Sequence, residues 1–185
     1  MRFSGTFGGQ PSSQDIRRTM PFRIIDMTAL PRTESVWAYP RPPIVVPDER
    51  EVVVEFRGIT LARTTKAVRV LETSHPPTFY IPFADVDVSC LQRSSMTTHC
   101  EFKGRAAYWN IVEDGSISTD AGWSYPDPNS GYEALQGTIA FYPGRVDQCS
   151  VDGEIVQPQP GGFYGGWITS EIEGPFKGSQ GTAFW

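Results

Sequence analysis

The side chains that could do chemistry are concentrated in residues 69–109 of this sequence and just beyond. This stretch holds both histidines, two of the three cysteines, a D-x-D motif and a Lys-Gly pair. Cations, phenols and indoles in one region are typical of a site for a small ring-bearing or anionic ligand, because rings give the site its shape and cations orient the ligand. The residues predicted to bind such a ligand are Arg69, Glu72, Tyr80, Thr98, Lys103, Trp109, Trp123 and Tyr125.

Each type of side chain has a distinct role in the predicted pocket. Arg69 and Lys103 would neutralise an acidic group on a small molecule whose identity the sequence does not give. Trp109 and Trp123 would stack on the ligand or wall it, and the hydroxyl groups would form hydrogen bonds. The competing interpretation has both tryptophans in the core, Arg69 paired with Glu72 and Lys103 in solvent.

Two side chains of the stretch are candidates for a catalytic base, if the pocket carries out a reaction. Asp85 and His99 can each exchange a proton near neutral pH when the surroundings shift the pKa. Cys100 is a candidate nucleophile, and a thiolate there would need a cationic neighbour such as Lys103. His99 and Cys100 are adjacent on an expected strand and so face opposite ways, which argues against a direct pair. The alternative is that Cys100 fills the core as a small apolar side chain.

Metal and cofactor sites are not expected from the spacing of the cysteines. Structural zinc needs four nitrogen or sulfur ligands, whereas Cys90, Cys100 and Cys149 are far apart and form no C-x-x-C motif. The sequence therefore predicts no zinc and no cofactor. Asp85 and Asp87, on one face of an expected strand, would form half of an Mg²⁺ site. Two solvated acids are the alternative.

Charge and hydropathy exclude several classes of protein. The formal net charge of -5 argues against a general nucleic-acid binder, which usually presents a basic face. No apolar run approaches the ~18 residues of a transmembrane helix, so no membrane span is expected. Three cysteines without close spacing favour a reducing compartment, and the predicted location is cytoplasmic. The alternative is the plastid stroma, because arginines outnumber acids near the N-terminus, as they do in transit segments.

Short alternating segments separated by turn residues must position these side chains. Asp114-Gly115 and Asp152-Gly153 are strong two-residue hairpin signals. Many short strands at this spacing predict an all-β domain of antiparallel folded sheets with a barrel-like arrangement. The strands are expected at residues 51–57, 59–62, 67–71, 78–81, 97–102, 105–112, 121–125, 135–142, 149–151 and 154–156, with a helical turn as the alternative at 67–71 and at 133–135.

The organisation predicted from composition is a single β domain between two extensions. Residues 1–33 are predicted as a flexible N-terminal arm, 34–156 as the β domain and 157–185 as a tail rich in glycine and aromatic residues. The Pro-rich path over 21–50 is expected to wrap over the body and bury Trp37. The tail is expected to pack on the body or on another subunit, which makes a homo-oligomer or a non-catalytic scaffold the second functional hypothesis.

Several long strings resemble the DUF427 family of small β-domains without a characterised function. The strings are ESVWAYPRPP at 34–43, VRVLETSHPPTFYIPFADV at 68–86, TTHCEFKGRAAYW at 97–109, AGWSYPDP at 121–128 and AFYPGRVD at 140–147. The resemblance implies an Mss4-like or β-tent fold, in which folded antiparallel sheets meet at an angle. Many members of that fold group hold zinc through paired C-x-x-C knuckles, which this chain lacks. The tail resembles that of cyanobacterial or plastid-type members.

The resemblance also brings a nucleotidyltransferase label, which makes metal-dependent nucleotidyl transfer a lesser alternative. Such transferases have a Gly-Ser turn shortly before the D-x-D motif, whereas His75-Pro76-Pro77 precedes Asp85 here. The sequence departs from the family at Phe83, where the family often has Pro, and at Glu101, where Pro usually follows the cysteine. Both departures affect local turn geometry rather than the expected fold.

Overall fold

Alternating side chains and tight turns build this protein from short strands. The computed structural model describes residues 33–182 and 185. In this part of the chain, strands are joined by turns and by short 3₁₀ helices, and there is no α-helix. The prediction of an all-β fold of antiparallel sheets is confirmed, although the sheets of the described residues do not close into a barrel.

The strands are numbered here in chain order. They are β1 Glu34–Ser35, β2 Ile44–Asp48, β3 Val52–Phe56, β4 Ile59–Thr64, β5 Ala67–Leu71, β6 Thr78–Pro82, β7 Leu91–Cys100, β8 Gly104–Glu113, β9 Ser116–Ser124, β10 Thr138–Phe141, β11 Gln148–Val151, β12 Glu154–Ile155, β13 Gln157–Pro158, β14 Trp167–Ile168 and β15 Ile172–Glu173. The 3₁₀ helices are Val36–Ala38, Phe83–Asp85, Val88–Cys90, Glu133–Leu135 and Pro143–Arg145.

The largest sheet has seven strands in the order β2-β5-β6-β10-β9-β8-β7. A second sheet has four strands in the order β12-β11-β3-β4, and two smaller pairs are β1-β15 and β13-β14. All the pairs are antiparallel except β1-β15, which is parallel. The seven-stranded sheet is the element on which the candidate site is built.

The hairpins that hold neighbouring strands together follow the turn signals in the sequence. Asp114 and Gly115 have φ angles of 46° and 72°, and Asp152 and Gly153 have 47° and 79°. Positive φ at both central residues is the type I′ turn that matches the twist of the flanking strands. The predicted hairpins β8–β9 and β11–β12 are therefore confirmed.

The seven-stranded sheet has a dry face that packs against the four-stranded sheet. Side chains alternate along each strand, so Phe79 and Ile81 lie on this face while Tyr80 lies on the other. Val52 and Val54 of β3 are fully buried against them, and burying each such side chain stabilises the fold by about 1.5–3 kcal/mol. This core leaves the second face free to carry different chemistry.

The described part of the Pro-rich segment before β2 and that of the tail lie against the body. Tyr39 is buried, and Trp167 is fully buried with its ring 5.0 Å from Phe79. Trp37 is 45% exposed, so the expectation that this ring is buried is wrong. It lies at the surface because its Nε1 donates to the Pro175 carbonyl, 3.0 Å away, and its ring contacts Trp185.

The predicted flexible arm over residues 1–33 lies outside the described residues apart from its last residue. Among residues 33–182 and 185, no helix has the length and apolar character needed to cross a lipid bilayer.

Candidate functional site

A cavity of about 310 Å³ opens on the face of the seven-stranded sheet opposite the dry core. Its volume is at the lower end of the range of about 300–1,000 Å³ for small-molecule sites. The floor is formed by the strand residues that alternate with the core positions. They are Val70, Thr78, Tyr80, Thr98, Cys100, Tyr108 and Trp123, together with Tyr125 and Tyr142 just after β9 and β10.

Trp123 is the centre of this aromatic floor. It pairs across the sheet with Tyr108 on one side and Ala140 on the other. Its ring centroid lies 4.5 Å from that of Tyr142 and 6.1 Å from that of Tyr80. The indole Nε1 donates to the Tyr80 hydroxyl oxygen at 3.0 Å. The first of these contacts, with Tyr142, is tilted and the second, with Tyr80, is edge to face, and rings packed in these ways give the cavity a rigid wall.

The mouth of the cavity carries more positive than negative charge. Arg41, Lys103 and Lys177 line it together with one acid, Glu72. Glu72 bonds Arg41 at 3.0 Å and lies 3.5 Å from the ammonium of Lys103. Three cations and one carboxylate therefore line the cavity, in a chain with a net charge of -5. Outside the lining, Arg41 also bonds exposed Glu101, and the Lys177 ammonium donates to the Trp185 carbonyl. A concave surface of one sign focuses the field on a ligand of the opposite sign.

Lys103 is held at the mouth by a tight turn between β7 and β8. Gly104 has a φ angle of +95°, a backbone conformation that residues with a side chain rarely adopt. Asn129 braces the turn, because its backbone N–H donates to the Lys103 carbonyl at 3.2 Å and its Nδ2 donates to the Phe102 carbonyl at 2.9 Å. Lys103 is only 8% exposed, so its ammonium group has lost most of its hydration.

Residues 159–166 of the tail form the roof of the cavity. Gln159 fixes this segment, accepting from the Gly166 N–H at 3.1 Å and donating to the Lys177 carbonyl at 2.8 Å. The backbone of Gly165 lies directly on Trp123, and a Cβ at this glycine would be 2.1 Å from the indole ring. Only glycine allows this approach.

His75 lines the cavity as a neutral imidazole. Its Nδ1 lies 2.9 Å from the Thr73 carbonyl, which can only accept a hydrogen bond, so Nδ1 carries the proton and Nε2 keeps a lone pair. Burial lowers the pKa of His75. The Thr73 carbonyl and Glu72 oppose that shift, while Lys177 and Lys103 reinforce it. The imidazole is therefore an acceptor at neutral pH.

The phenols of the floor are donors rather than nucleophiles. Burial raises the pKa of Tyr80, Tyr125 and Tyr142 well above that of a free phenol. Their hydroxyl groups consequently stay protonated throughout the physiological range. The floor of the cavity is therefore polar without being charged, and the lysine, arginine and glutamate side chains of the lining are Arg41, Glu72, Lys103 and Lys177.

The structure brings seven of the ten sequence-predicted site residues to this cavity. They are Glu72, Tyr80, Thr98, His99, Lys103, Trp123 and Tyr125. Thr98 Oγ1 lies 3.1 Å from the Tyr108 hydroxyl, and His99 is exposed on the same strand. The ligand-binding and catalytic roles of these residues remain predictions.

Arg69 lies away from the cavity, within a buried network of charges. Only 4% exposed, it bonds Glu34 at 3.1 Å, and its Nε lies 3.0 Å from Asp48. The second contact has the distance of an ion pair, but the N–H is not aligned for a hydrogen bond. Arg50 bridges Asp48 to Glu171 of the tail. Arg69 thus joins β5 to β1 and β2, and Arg50 extends the network to the tail.

Trp109 and Asp85 also lie outside the lining. The Trp109 ring packs against Phe83, and its Nε1 donates to the Ser124 hydroxyl at 3.0 Å. Asp85 ends a 3₁₀ helix and accepts from the Thr64 hydroxyl at 2.6 Å. The expectation that Asp85 and Asp87 share one strand face is therefore wrong, because two 3₁₀ helices occupy this stretch.

Asp87 and the cysteines have local roles. Asp87 caps the second of these helices, and hydrogen bonds from Ser89 lower its pKa. Cys90 Sγ lies 3.3 Å from Glu113, Cys149 is buried in the dry core, and Cys100 lines the cavity. No cluster of three metal-ligating side chains occurs among residues 33–182 and 185.

Several lining residues were not singled out as site residues from the sequence. Tyr108 and Tyr142 follow the strand alternation of Ala106 and Ala140, and that period could have found them. The roof residues carry no such signal, because only the three-dimensional fold brings them over the sheet. The lining residues not predicted include Arg41, His75, Gln159, Phe163, Tyr164 and Lys177.

Comparison with models of protein families identifies the family of this chain. A family model described as a domain of unknown function (DUF427) matches residues 44–152, more than half of the chain. No curated protein matches. The matched range contains the aromatic floor and Lys103, whereas Arg41 and the roof lie outside it.

Proposed function

The chain belongs to the DUF427 family, a domain of unknown function, and we propose that it binds a small anionic ligand carrying a flat ring. The observation that supports this proposal is the excess of cations at the mouth of an aromatic cavity. Arg41, Lys103 and Lys177 line the cavity, and Glu72, which contacts Arg41 and Lys103, is the one acid among the lining residues. A carboxylate or phosphate on the ligand would supply the counter-charge that this mouth lacks.

Lys103 is the residue on which binding depends most. Its ammonium is largely desolvated, and its distance of 3.5 Å from Glu72 is long for a charge-assisted hydrogen bond. A ligand anion can approach more closely than Glu72, whose other oxygen is already bound to Arg41. The gain is large because a buried charge with a weak partner is costly.

The size of the cavity indicates what kind of ring it accepts. An engineered apolar cavity of about 150 Å³ holds one benzene molecule, and this cavity has about twice that volume. Two fused rings, or one ring with substituents, would therefore fill it. The rings of Trp123 and Tyr142 form the wall against which such a ring would pack.

A reaction at the site would use the lone pair of His75. Its Nε2 is the acceptor nitrogen of a neutral imidazole beside two lysines. Of the two bases predicted from sequence, His99 lines the cavity and Asp85 does not. Binding is the function proposed here, and proton transfer by His75 would be an addition to it.

The test compares two ligands that differ in charge alone. In calorimetric titrations we expect 2-naphthoate to bind the protein about tenfold more tightly than its neutral isostere 2-naphthamide. Lys103→Met should abolish that difference. Lys66→Met is the matched control, because Lys66 is exposed and does not line the cavity. Equal affinity for the two ligands in the unsubstituted protein would contradict the proposal.

A second candidate function is assembly through exposed aromatic residues of the Pro-rich segment and the tail. Phe163 is 68% exposed, and the half-exposed rings of Trp37 and Trp185 contact each other. Large exposed rings favour contact with another protein or a second copy. Sedimentation over a concentration series tests this candidate. Trp37→Ser should shift the distribution towards monomer, whereas Ile155→Ser, an exposed apolar residue on β12, should not.

A further inference from the structure

Two phenolic hydroxyl groups in the cavity donate to no protein group among the described residues. Tyr125 is 5% exposed and lines the cavity, and none of the hydrogen bonds formed by residues 33–182 and 185 involves its hydroxyl. A phenol that is nearly buried normally has a partner. The space that its ring borders is the cavity itself.

Tyr80 is the second free donor. Its oxygen accepts from the Trp123 indole at 3.0 Å, but no described acceptor receives its own proton. Accepting a hydrogen bond polarises a hydroxyl group and makes it a better donor. The rings of Tyr80 and Tyr125 are neighbours, with centroids 6.3 Å apart. Together they offer two O–H groups to whatever lies on the floor.

The other hydroxyl groups of the floor are already used. Tyr108 shares a hydrogen bond with Thr98 at 3.1 Å, and Tyr142 donates to the Phe163 carbonyl of the roof at 3.2 Å. The ionised lining residues form a linked group in which Arg41 bonds Glu72 and Glu72 lies beside Lys103, and none of them is hydrogen-bonded to Tyr80 or Tyr125. Tyr80 and Tyr125 therefore offer free donors that have no charged partner among the described residues.

We propose that the ligand is an aromatic acid that enters with a neutral hydrogen-bond acceptor leading, such as a ketone oxygen held by Tyr80 and Tyr125. This inference rests on the proposed function, since the acid group trails at the mouth beside Lys103. An ammonium or a second carboxylate at the leading end is rejected, because the floor has no ion to pair with it. The ligand class is a ring acid with an acyl, oxo or ring-nitrogen acceptor opposite its acid group.

The experiment uses naphthoates that share the acid group and differ at the far end. 6-Acetyl-2-naphthoate carries an acceptor there, 6-isopropyl-2-naphthoate has nearly the same shape without one, and naphthalene-2,6-dicarboxylate carries a second charge. We expect the protein to bind the acetyl compound about tenfold more tightly than the isopropyl compound. The dicarboxylate should bind more weakly than either.

Tyrosine variants locate the preference. Tyr125→Phe should reduce the preference for the acetyl compound to about threefold or less, with little change for the isopropyl compound. Tyr132→Phe is the control, because that hydroxyl donates to the Pro43 carbonyl in the same aromatic cluster and does not line the cavity. It should keep the full preference. The comparison of ligands in the unsubstituted protein decides the matter even where a variant fails to fold.

The outcomes separate the two proposals. Equal binding of the acetyl and isopropyl compounds, with loss of both in Lys103→Met, would overturn the acceptor inference and leave the anion site standing. A preference for the acetyl compound that survives Tyr125→Phe unchanged would also overturn it. Binding of none of the three naphthoates at millimolar concentration would overturn both.

Discussion

The two faces of the seven-stranded sheet are made by the same strands and differ in how they treat charge. On the dry face, Arg69 is buried between two carboxylates, Glu34 and Asp48. On the cavity face, Lys103 is buried to a similar degree but shares its single carboxylate, Glu72, with another cation. Burial of a cation therefore does not identify a binding site. A buried cation without its full counter-charge is costly, and this cost is the reason for proposing Lys103 as the anion site.

The largest expected effect is a loss of stability on removing Arg69, the buried cation that has two carboxylate partners. Arg69→Ala leaves the carboxylates of Glu34 and Asp48 without their shared partner, so the free energy of unfolding should fall by about 3–5 kcal/mol. Urea denaturation measures this change. Arg63→Ala, which breaks an exposed ion pair with Glu51, should cost less than about 1 kcal/mol. Similar losses in both variants would show that the buried network adds little stability.

The next effect concerns the roof that closes the cavity face. Gly165→Ala places a methyl group on Trp123, which should displace the roof and cost about 1–3 kcal/mol of stability. Affinity for 2-naphthoate should fall with it. Gly144→Ala is the control, since its new Cβ would lie 3.8 Å from Pro158, in ordinary contact. Equal melting temperatures for the two variants would place residues 163–166 away from the indole in solution.

Removing the acid at the mouth should strengthen the binding of an anionic ligand. Glu72→Gln removes the acid that bonds Arg41 and lies beside Lys103, so 2-naphthoate should bind about three- to tenfold more tightly. Glu101→Gln is the matched control, because Glu101 also bonds Arg41, at 2.7 Å, but is exposed and does not line the cavity. Calorimetry on both variants checks the prediction. Weaker binding in Glu72→Gln would mean that this carboxylate orients the cations rather than competing with the ligand.

The smallest expected effect is a dependence of stability on pH that involves His75. Because burial lowers its pKa in the folded state, the unfolded chain takes up this proton at higher pH than the folded protein does. The free energy of unfolding should therefore fall as the pH drops below about 6.5, until folded His75 is protonated as well. His75→Gln should flatten this part of the curve. Superimposable curves for His75→Gln and the unsubstituted protein would contradict the assignment.

Local signals in the sequence predicted most of the architecture. The Asp-Gly turns and the alternation of β3 predicted strands that the structure contains. For strand β2, Ile44–Asp48, the sequence predicts only a Pro-rich extended path, because Pro47 is unusual inside a strand. It is accommodated because β2 is an edge strand of the seven-stranded sheet. Strand β7 begins at Leu91, six residues before the expected start.

Counting residues along the β8–β9 hairpin is enough to separate the two tryptophans of the predicted site. Glu113 faces Ser116 across the Asp-Gly turn. Residues two apart on a strand share a face, so Trp109 lies on the same face of the hairpin as Glu113 and Ser116. Trp123 lies on the other face, together with its cross-strand partner Tyr108. The sequence thus contained the signal that only one of the two tryptophans lines the cavity.

The positions of Arg69 and of the roof could not be predicted in this way. The carboxylates that neutralise Arg69 come from β1 and β2, and the tail that covers Trp123 follows some forty residues later. Such contacts depend on strand order and on chain segments that are distant in sequence. Judged by residue type, Arg69 and Lys103 are equivalent candidates for binding an anion. They differ in the structure because the strand order places two carboxylates beside Arg69.

The most direct test of the cavity follows the indole N–H signals of the five tryptophans in ¹H–¹⁵N spectra during titration with 2-naphthoate. Trp123 forms the floor of the cavity, whereas Trp109 lies on the other face of the same hairpin. We expect the Trp123 signal to shift saturably while that of Trp109 stays in place. A Trp109 shift with an unmoved Trp123, or no saturable shift at all, would contradict the assignment of this cavity as an anion-binding site.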